Sequence, residues 1–179
     1  EIQRMTTGLY RLDEFKDNCG FGMIAHLKGD ASHKLLTTAI EALACMTHRG
    51  GIAADGKTGD GCGLLLQKPD SFMRAVAKTD CNAELSDVYA VGAVMLSRDI
   101  DTRVIAEAAL VLEVEALGLS VAGWRELPVD NSCLGPIALE SQPVFKHLFI
   151  NSEGLSSVEL NAKLFVVRRK AEKALEDDS

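Results

Sequence analysis

No stretch of this sequence approaches the roughly 20 consecutive apolar residues of a membrane helix. The N-terminal run EIQRMTTGLYRLDEFKDN lacks the apolar block of a secretory signal. There is no basic surplus: 19 basic residues against 26 acidic ones leave a net charge of −7. That balance argues against nucleic acid, whose phosphates call for a positive surface. Cysteine pairing is missing too. Cys19, Cys45, Cys62, Cys81 and Cys133 are widely spaced, hold no CxxC pair, and make no metal-type spacing with the four histidines. An odd, unpaired set fits a reduced, cytoplasmic compartment and predicts no metal centre. GDGCG departs from the P-loop pattern, and no GxGxxG opens a helix. No internal repeat, low-complexity tract or clear domain linker is seen.

What remains is an ordinary soluble composition, 47% apolar and 25% charged over 179 residues, enough for a domain with a real core. Residues 19–27 alternate Phe21, Met23, Ala25 and Leu27 with Gly22, Ile24 and His26, the period of a strand. Ser32 is placed to cap a helix running to about Met46. Its apolar stripe is wide, which predicts a well-buried helix. A glycine-rich connection, HRGGIAADGKTGDGCG, leads from His48 to a short apolar strand at 64–67. Pro69-Asp70 opens a helix to about Ala77. VYAVGAVMLS over 88–97 predicts a buried strand. Asp101 is placed to cap a helix with Ile105, Ala108, Val111 and Leu112 inward and Gly118 closing its end. A strand-like LSVAGWREL follows, then a looser Pro128–Pro143 and another strand, VFKHLFIN. Ser156-x-x-Glu159 is a capping box before a last helix with Leu160, Leu164, Val167 and Ala171 inward. The alternation predicts a layered α/β or α+β domain.

Chemistry centres on Cys19. A cysteine in a reduced protein is by default a small buried hydrophobe, but Gly20 and Gly22 leave little bulk around this sulfur. A cut between Asn18 and Cys19 would give that residue a free α-amine of pKa about 7.7–8. One residue would then supply both nucleophile and base. In the 48–63 loop, glycines permit tight turns and close backbone approach, and Arg49 is placed to orient a carboxylate or a carbonyl. His26 and His147 lie in strand patterns and read as structural. Arg168-Arg169-Lys170 reads as a solvated helix face.

Taken together, Cys19-Gly20-Phe21-Gly22, then His48-Arg49-Gly50, then Lys57-Thr58-Gly59-Asp60-Gly61 closely resemble the start of the class II glutamine amidotransferase domain of the glutamate synthases. The resemblance runs through CGFGMIAH, MTHRGG and ADGKTGDGCGLLLQKPD, and more loosely through VAGWRELP to the helix around Leu164-Phe165. It implies an α+β fold, the four-layer αββα sandwich of the N-terminal nucleophile hydrolases, here only its N-terminal part. Residues 1–18 then read as a tag remnant and propeptide-like segment, with 19–179 as the N-terminal part of the amidotransferase domain. The resemblance implies Cys19 as the nucleophile that opens L-glutamine's carboxamide through a thioester. It implies Arg49 and Gly50 beside the nucleophile, with Gly20 and Phe21 continuing the active-site strand. Asp60 and Gly61 match family positions and receive no role. FMN and an iron–sulfur cluster are implied elsewhere in the full-length protein and none in this fragment. Its implied partners are the rest of the large subunit and an NADPH-oxidising small subunit or ferredoxin, with no membrane and no nucleic acid.

Two departures set further expectations. While residues 1–18 remain, the nitrogen of Cys19 is a peptide amide and not a base, so this form is predicted inactive. The family's oxyanion hole is an Asn-Gly pair, and the sequence contains none; such a donor is worth about 2.7–4 kcal/mol of barrier. A partial sandwich also predicts exposed apolar faces and self-association. The alternatives are another class II amidotransferase or a non-catalytic assembly domain of the same fold.

Overall fold

A computed structural model describes residues 20–46 and 50–177. The chain divides into two units, 1–65 and 66–179.

In the first unit, α1 spans His33–Ala44. Its start is the predicted one: the Ser32 hydroxyl accepts the Leu35 N–H at 3.2 Å, satisfying an orphan donor of the first turn. The expected deep burial is not found. Leu35, Leu36, Ala39 and Leu43 are half-buried and no residue of α1 is fully buried. The predicted strands at 19–27 and 64–67 are also corrected. Residues 20–26 and 64–67 are not in strands and are exposed, with Leu65 fully so. A period-2 pattern becomes a strand only where another strand supplies ladder partners, and among the described residues neither run has one.

The second unit is built on β1 (Tyr89–Leu96), β2 (Ser120–Glu126) and β3 (Val144–Asn151), an antiparallel sheet in the order β1-β3-β2. α2 (Asp70–Cys81) precedes β1, α3 (Ile100–Ala116) joins β1 to β2, α4 (Pro136–Ser141) joins β2 to β3, and α5 (Ser157–Asp177) follows. Leu148 and Ile150 of the central strand point to one side. There they pack with Val114 and Leu119 at the end of α3 and with Leu160 and Val167 of α5. α2 lies against β2 on the side where Phe149 is fully buried. An extra residue, Ala122, bulges β2 between Val121 and Gly123. Gly123 then meets α2 so closely that a Cβ there would stand 2.7 Å from the Cβ of Cys81.

The end of α3 and the start of α5 follow their sequence signals. Gly118 has φ +70°, and the N–H groups of Gly118 and Leu119 bond the carbonyls of Glu115 and Val114. That is the double closure of a glycine-capped helix, with Leu119 and Val114 meeting in the core. The capping box forms as written: Glu159 N–H reaches Ser156 Oγ at 3.3 Å, and Ser156 N–H reaches Glu159 Oε2 at 2.9 Å. Leu160, Leu164, Val167 and Ala171 face inward as predicted. For α3 the prediction is corrected twice. Asp99, not Asp101, caps it, accepting the Thr102 N–H at 2.8 Å. The inward stripe is Leu110, Val114 and Leu117, while Ile105 and Leu112 are 54% and 65% exposed. The helix is apolar on more than one side, so its period cannot choose which side meets the sheet. α2 runs on to Cys81, past the expected Ala77, and ends at Asn82 in the left-handed region, φ 50°.

Among the described residues no helix is long and apolar enough to cross a membrane. The observed layers are mixed helix and antiparallel sheet, the coarse form of the expected α+β class.

Candidate functional site

The candidate residues lie in the first unit. Cys19, His48 and Arg49 are outside the described residues. Gly20 and Phe21 lie in the exposed stretch before α1, with Phe21 94% exposed. Gly50 sits in an exposed bend after α1. Among the described residues no backbone hydrogen bond joins Gly20 or Phe21 to Gly50.

The loop after Gly50 is more ordered than its glycine content suggests. Ile52 and Gly59 pair as an isolated antiparallel bridge, and the Ala53 N–H donates to the Thr58 carbonyl at 2.8 Å. The turn between them is held by Asp55. Its carboxylate accepts the N–H groups of Lys57 and Thr58 at 3.0 and 2.8 Å and the Thr58 hydroxyl at 2.6 Å. Aspartate in a turn does this because its short side chain reaches the backbone two or three residues on. Gly56 takes φ +70° there, a conformation glycine adopts without a steric penalty. Just beyond the hairpin, Asp60 Oδ2 accepts the Gly51 N–H at 2.6 Å. HRGG and KTGDG, two separate motifs in the sequence, are thus joined by one hydrogen bond. Composition and period do not reveal that bond; the nine-residue spacing across a short hairpin is the signal that could have.

The second unit holds other titratable groups, but they read as structural. The Arg125 guanidinium binds Asp80 at 2.5 Å, holding that carboxyl below its ordinary range together with the Thr79 hydroxyl. Burial, and then Asp80, push the Cys81 thiol up, so it stays protonated and a poor nucleophile. Burial, and then Arg125, push the half-buried His147 down, and its Nδ1 has no hydrogen-bond partner. A shallow depression of about 400 Å³ lies between the end of β1 and α4, lined by Met95, Arg98, Glu140 and Pro143 among others. The Arg98 guanidinium there donates to the Leu139 carbonyl. Cys45, Cys62 and Cys133 are exposed and free. Among the described residues no three His, Cys, Asp or Glu side chains converge as a metal site.

A family model, glutamine amidotransferases class-II, matches residues 19–179, beginning at Cys19. This chain belongs to the class II glutamine amidotransferases. Within that family its relatives are glutamate synthases. The chain is 38% identical over 167 residues to the glutamate synthase [NADPH] large chain of Bacillus subtilis, covering 92% of this chain and 11% of the relative. It is 36% identical over 164 residues to the glutamate synthase [NADH] of Schizosaccharomyces pombe, covering 87% and 8%. It is 36% identical over 169 residues to the ferredoxin-dependent glutamate synthase 2 of Synechocystis, covering 93% and 11%. The chain therefore spans about a tenth of the length of the curated relatives it matches. The resemblance read from CGFG, HRGG and KTGDG is thereby borne out at the level of family. The amidotransferase match takes in both units, although the two are packed very differently.

Proposed function

We propose that this chain is the glutaminase part of a glutamate synthase, with Cys19 as its nucleophile. The observation that carries the reading is that the family match begins at Cys19, the one cysteine followed by Gly-Phe-Gly. The other four cysteines offer no rival: three are exposed in loops or at a helix end, and Cys81 is held protonated by burial.

The chemistry follows from one residue supplying two groups. Cleavage between Asn18 and Cys19 frees the α-amine, which accepts the thiol proton. The sulfur attacks the carboxamide carbon of L-glutamine. The C–N bond breaks, and the amine returns the proton to the leaving nitrogen as ammonia departs. A γ-glutamyl thioester remains on Cys19. Water, deprotonated by the same amine, hydrolyses it to glutamate and regenerates the thiol. Gly20 and Phe21 carry the sulfur's backbone, and Arg49 and Gly50 flank it. Before cleavage the nitrogen is an amide, and the chain is a precursor without glutaminase activity.

In the full-length protein the ammonia reacts at a second site with 2-oxoglutarate, giving a second glutamate after reduction of the imine. FMN and an iron–sulfur cluster belong to that part, not to this chain. The relatives include NADPH-, NADH- and ferredoxin-dependent enzymes. A two-sheet αββα sandwich for the complete domain is part of this proposal. Cytoplasmic location and self-association through exposed apolar surface belong to it as well.

The test is made on the full-length protein. Mass spectrometry should find Cys19 at the mature N-terminus, and Cys19→Ala should reduce glutamine hydrolysis to background. Glutamine hydrolysis that survives Cys19→Ala would overturn the reading. An intact Asn18–Cys19 bond in an active enzyme would overturn the maturation step.

A further inference from the structure

The KTGDG run contains a carboxylate to which the reaction above gives no task. Asp60 is exposed and directly follows the 52–59 hairpin. Its Oδ2 accepts the Gly51 N–H at 2.6 Å across nine residues. The approach is close: a Cβ at position 51 would lie 3.0 Å from Oδ2 and 3.2 Å from Oδ1, so a side chain there would push the carboxylate back. The hairpin between the two is closed by the Ala53–Thr58 bond and by Asp55. The carboxylate is therefore delivered to Gly51 by a short closed ring. Bonds from N–H to an ionised carboxylate are among the shorter and stronger in proteins.

From this geometry we infer that Asp60 is a positioning residue for the glutaminase site, setting the backbone of Gly50-Gly51 through the Gly51 amide. The inference rests on the glutaminase reading. Its physical basis is the dipeptide itself. Two successive glycines have the widest backbone freedom a chain offers, and a site segment built from them holds one geometry only if something tethers it. Loss of the tether spreads Gly50-Gly51 over many backbone states. A displacement of about 1 Å in a reacting site can cost about 10²-fold in rate. Asp60 touches no substrate in this role.

The experiment compares Asp60→Ala, Asp60→Asn and Asp60→Glu in the full-length protein. Asparagine keeps an acceptor oxygen at the same reach without the charge; glutamate keeps the charge but moves the acceptor by one methylene. Expected are a fall of about 10- to 100-fold in kcat/KM for glutamine hydrolysis in Asp60→Ala, substantial recovery in Asp60→Asn, and little in Asp60→Glu. Hydrogen exchange at the Gly51 amide should quicken in the same order, with the main unfolding transition unmoved. If Asp60→Ala does not fold, the Asn and Glu variants carry the comparison alone. Wild-type kcat/KM in Asp60→Ala or Asp60→Glu would remove the positioning role and leave the glutaminase reading standing. A mature wild-type protein that neither hydrolyses glutamine nor captures a glutamine-analogue electrophile at Cys19 would sink the glutaminase reading, and this inference with it.

Discussion

Phe149 in the central strand is completely buried, whereas Phe21 in the candidate site is 94% exposed. The two phenylalanines represent two ways of holding a chain. Around Phe149, residues 66–177 bury apolar side chains on both faces of a three-stranded sheet. Polar links then trim the edges. Arg74 of α2 donates to the carbonyls of Leu85 and Ser86 and to Asp70. Tyr89 gives its hydroxyl to Asp70 at 2.8 Å while Lys68 sits over its ring at 3.6 Å. Around Phe21, the described residues 20–46 and 50–65 bury no side chain fully and are shaped by local hydrogen bonds: the Ser32 cap, the Asp55 turn and the Asp60 tether. The described motif residues, Gly20, Phe21, Gly50 and the KTGDG run, lie in the part where local hydrogen bonds and not a buried core hold the chain. The packed part carries none of the predicted site residues. Loops positioned by a scaffold are where binding and catalytic groups concentrate.

The largest effect is expected at Phe149→Ala, which empties the centre of the second unit. A loss of about 3–5 kcal/mol in denaturant unfolding follows from the lost burial and the cavity left behind. Leu65→Ala, at a fully exposed leucine, should stay within about 0.5 kcal/mol. Equal effects at the two sites would show that the units do not differ as described.

Next comes Gly123→Ala. The new methyl would meet the Cβ of Cys81, an atom fixed to the backbone of α2. Overpacking of this kind costs about 1–3 kcal/mol, read as a lowered unfolding midpoint. An unchanged midpoint would mean that α2 does not lie on β2 as found.

The smallest effect is a pH dependence. Burial, and then the bond to Asp70, push the Tyr89 phenol up to about 12 from an ordinary 10.0. The folded state therefore holds this proton more tightly than the unfolded chain. The stability it contributes is fully present below pH 10 and is lost as pH rises from about 10 to about 12. Tyr89→Phe should flatten that segment of the stability curve. A phenolate absorbance change for Tyr89 centred near pH 10 would contradict the arrangement.

The helices with strong end signals are legible in the sequence. Ser32, the Ser156/Glu159 box and Gly118 each act within a few residues of the chain, so the sequence contains both partners of the interaction. β1 and β3 were legible because 89–96 is an apolar run of strand length and 144–151 is an apolar-rich one, each bounded by turn residues. Residues 20–26 have as good an alternation and form no strand, because alternation describes one partner of a ladder and says nothing of the other. α3 shows the complementary failure. Ile105 and Leu112 make as good a stripe as Leu110, Val114 and Leu117, and only the packing of α5 and β3 selects the second. At the site, CGFG, HRGG and KTGDG were legible as motifs and led to the family. The tether between two of them was not, since a hydrogen bond across nine residues depends on how the intervening hairpin closes.

By itself, then, the sequence determined the helix ends at Ser32, Gly118 and Ser156/Glu159 and, through its motifs, the family to which the chain belongs. These depend on neighbouring residues or on motif identity. Tertiary structure alone decided which face of α3 is inside, which alternating runs become strands, and that Asp60 meets Gly51. The first two are contacts between distant parts of the chain, settled by competition among partners; the third depends on how the hairpin between Gly51 and Asp60 closes.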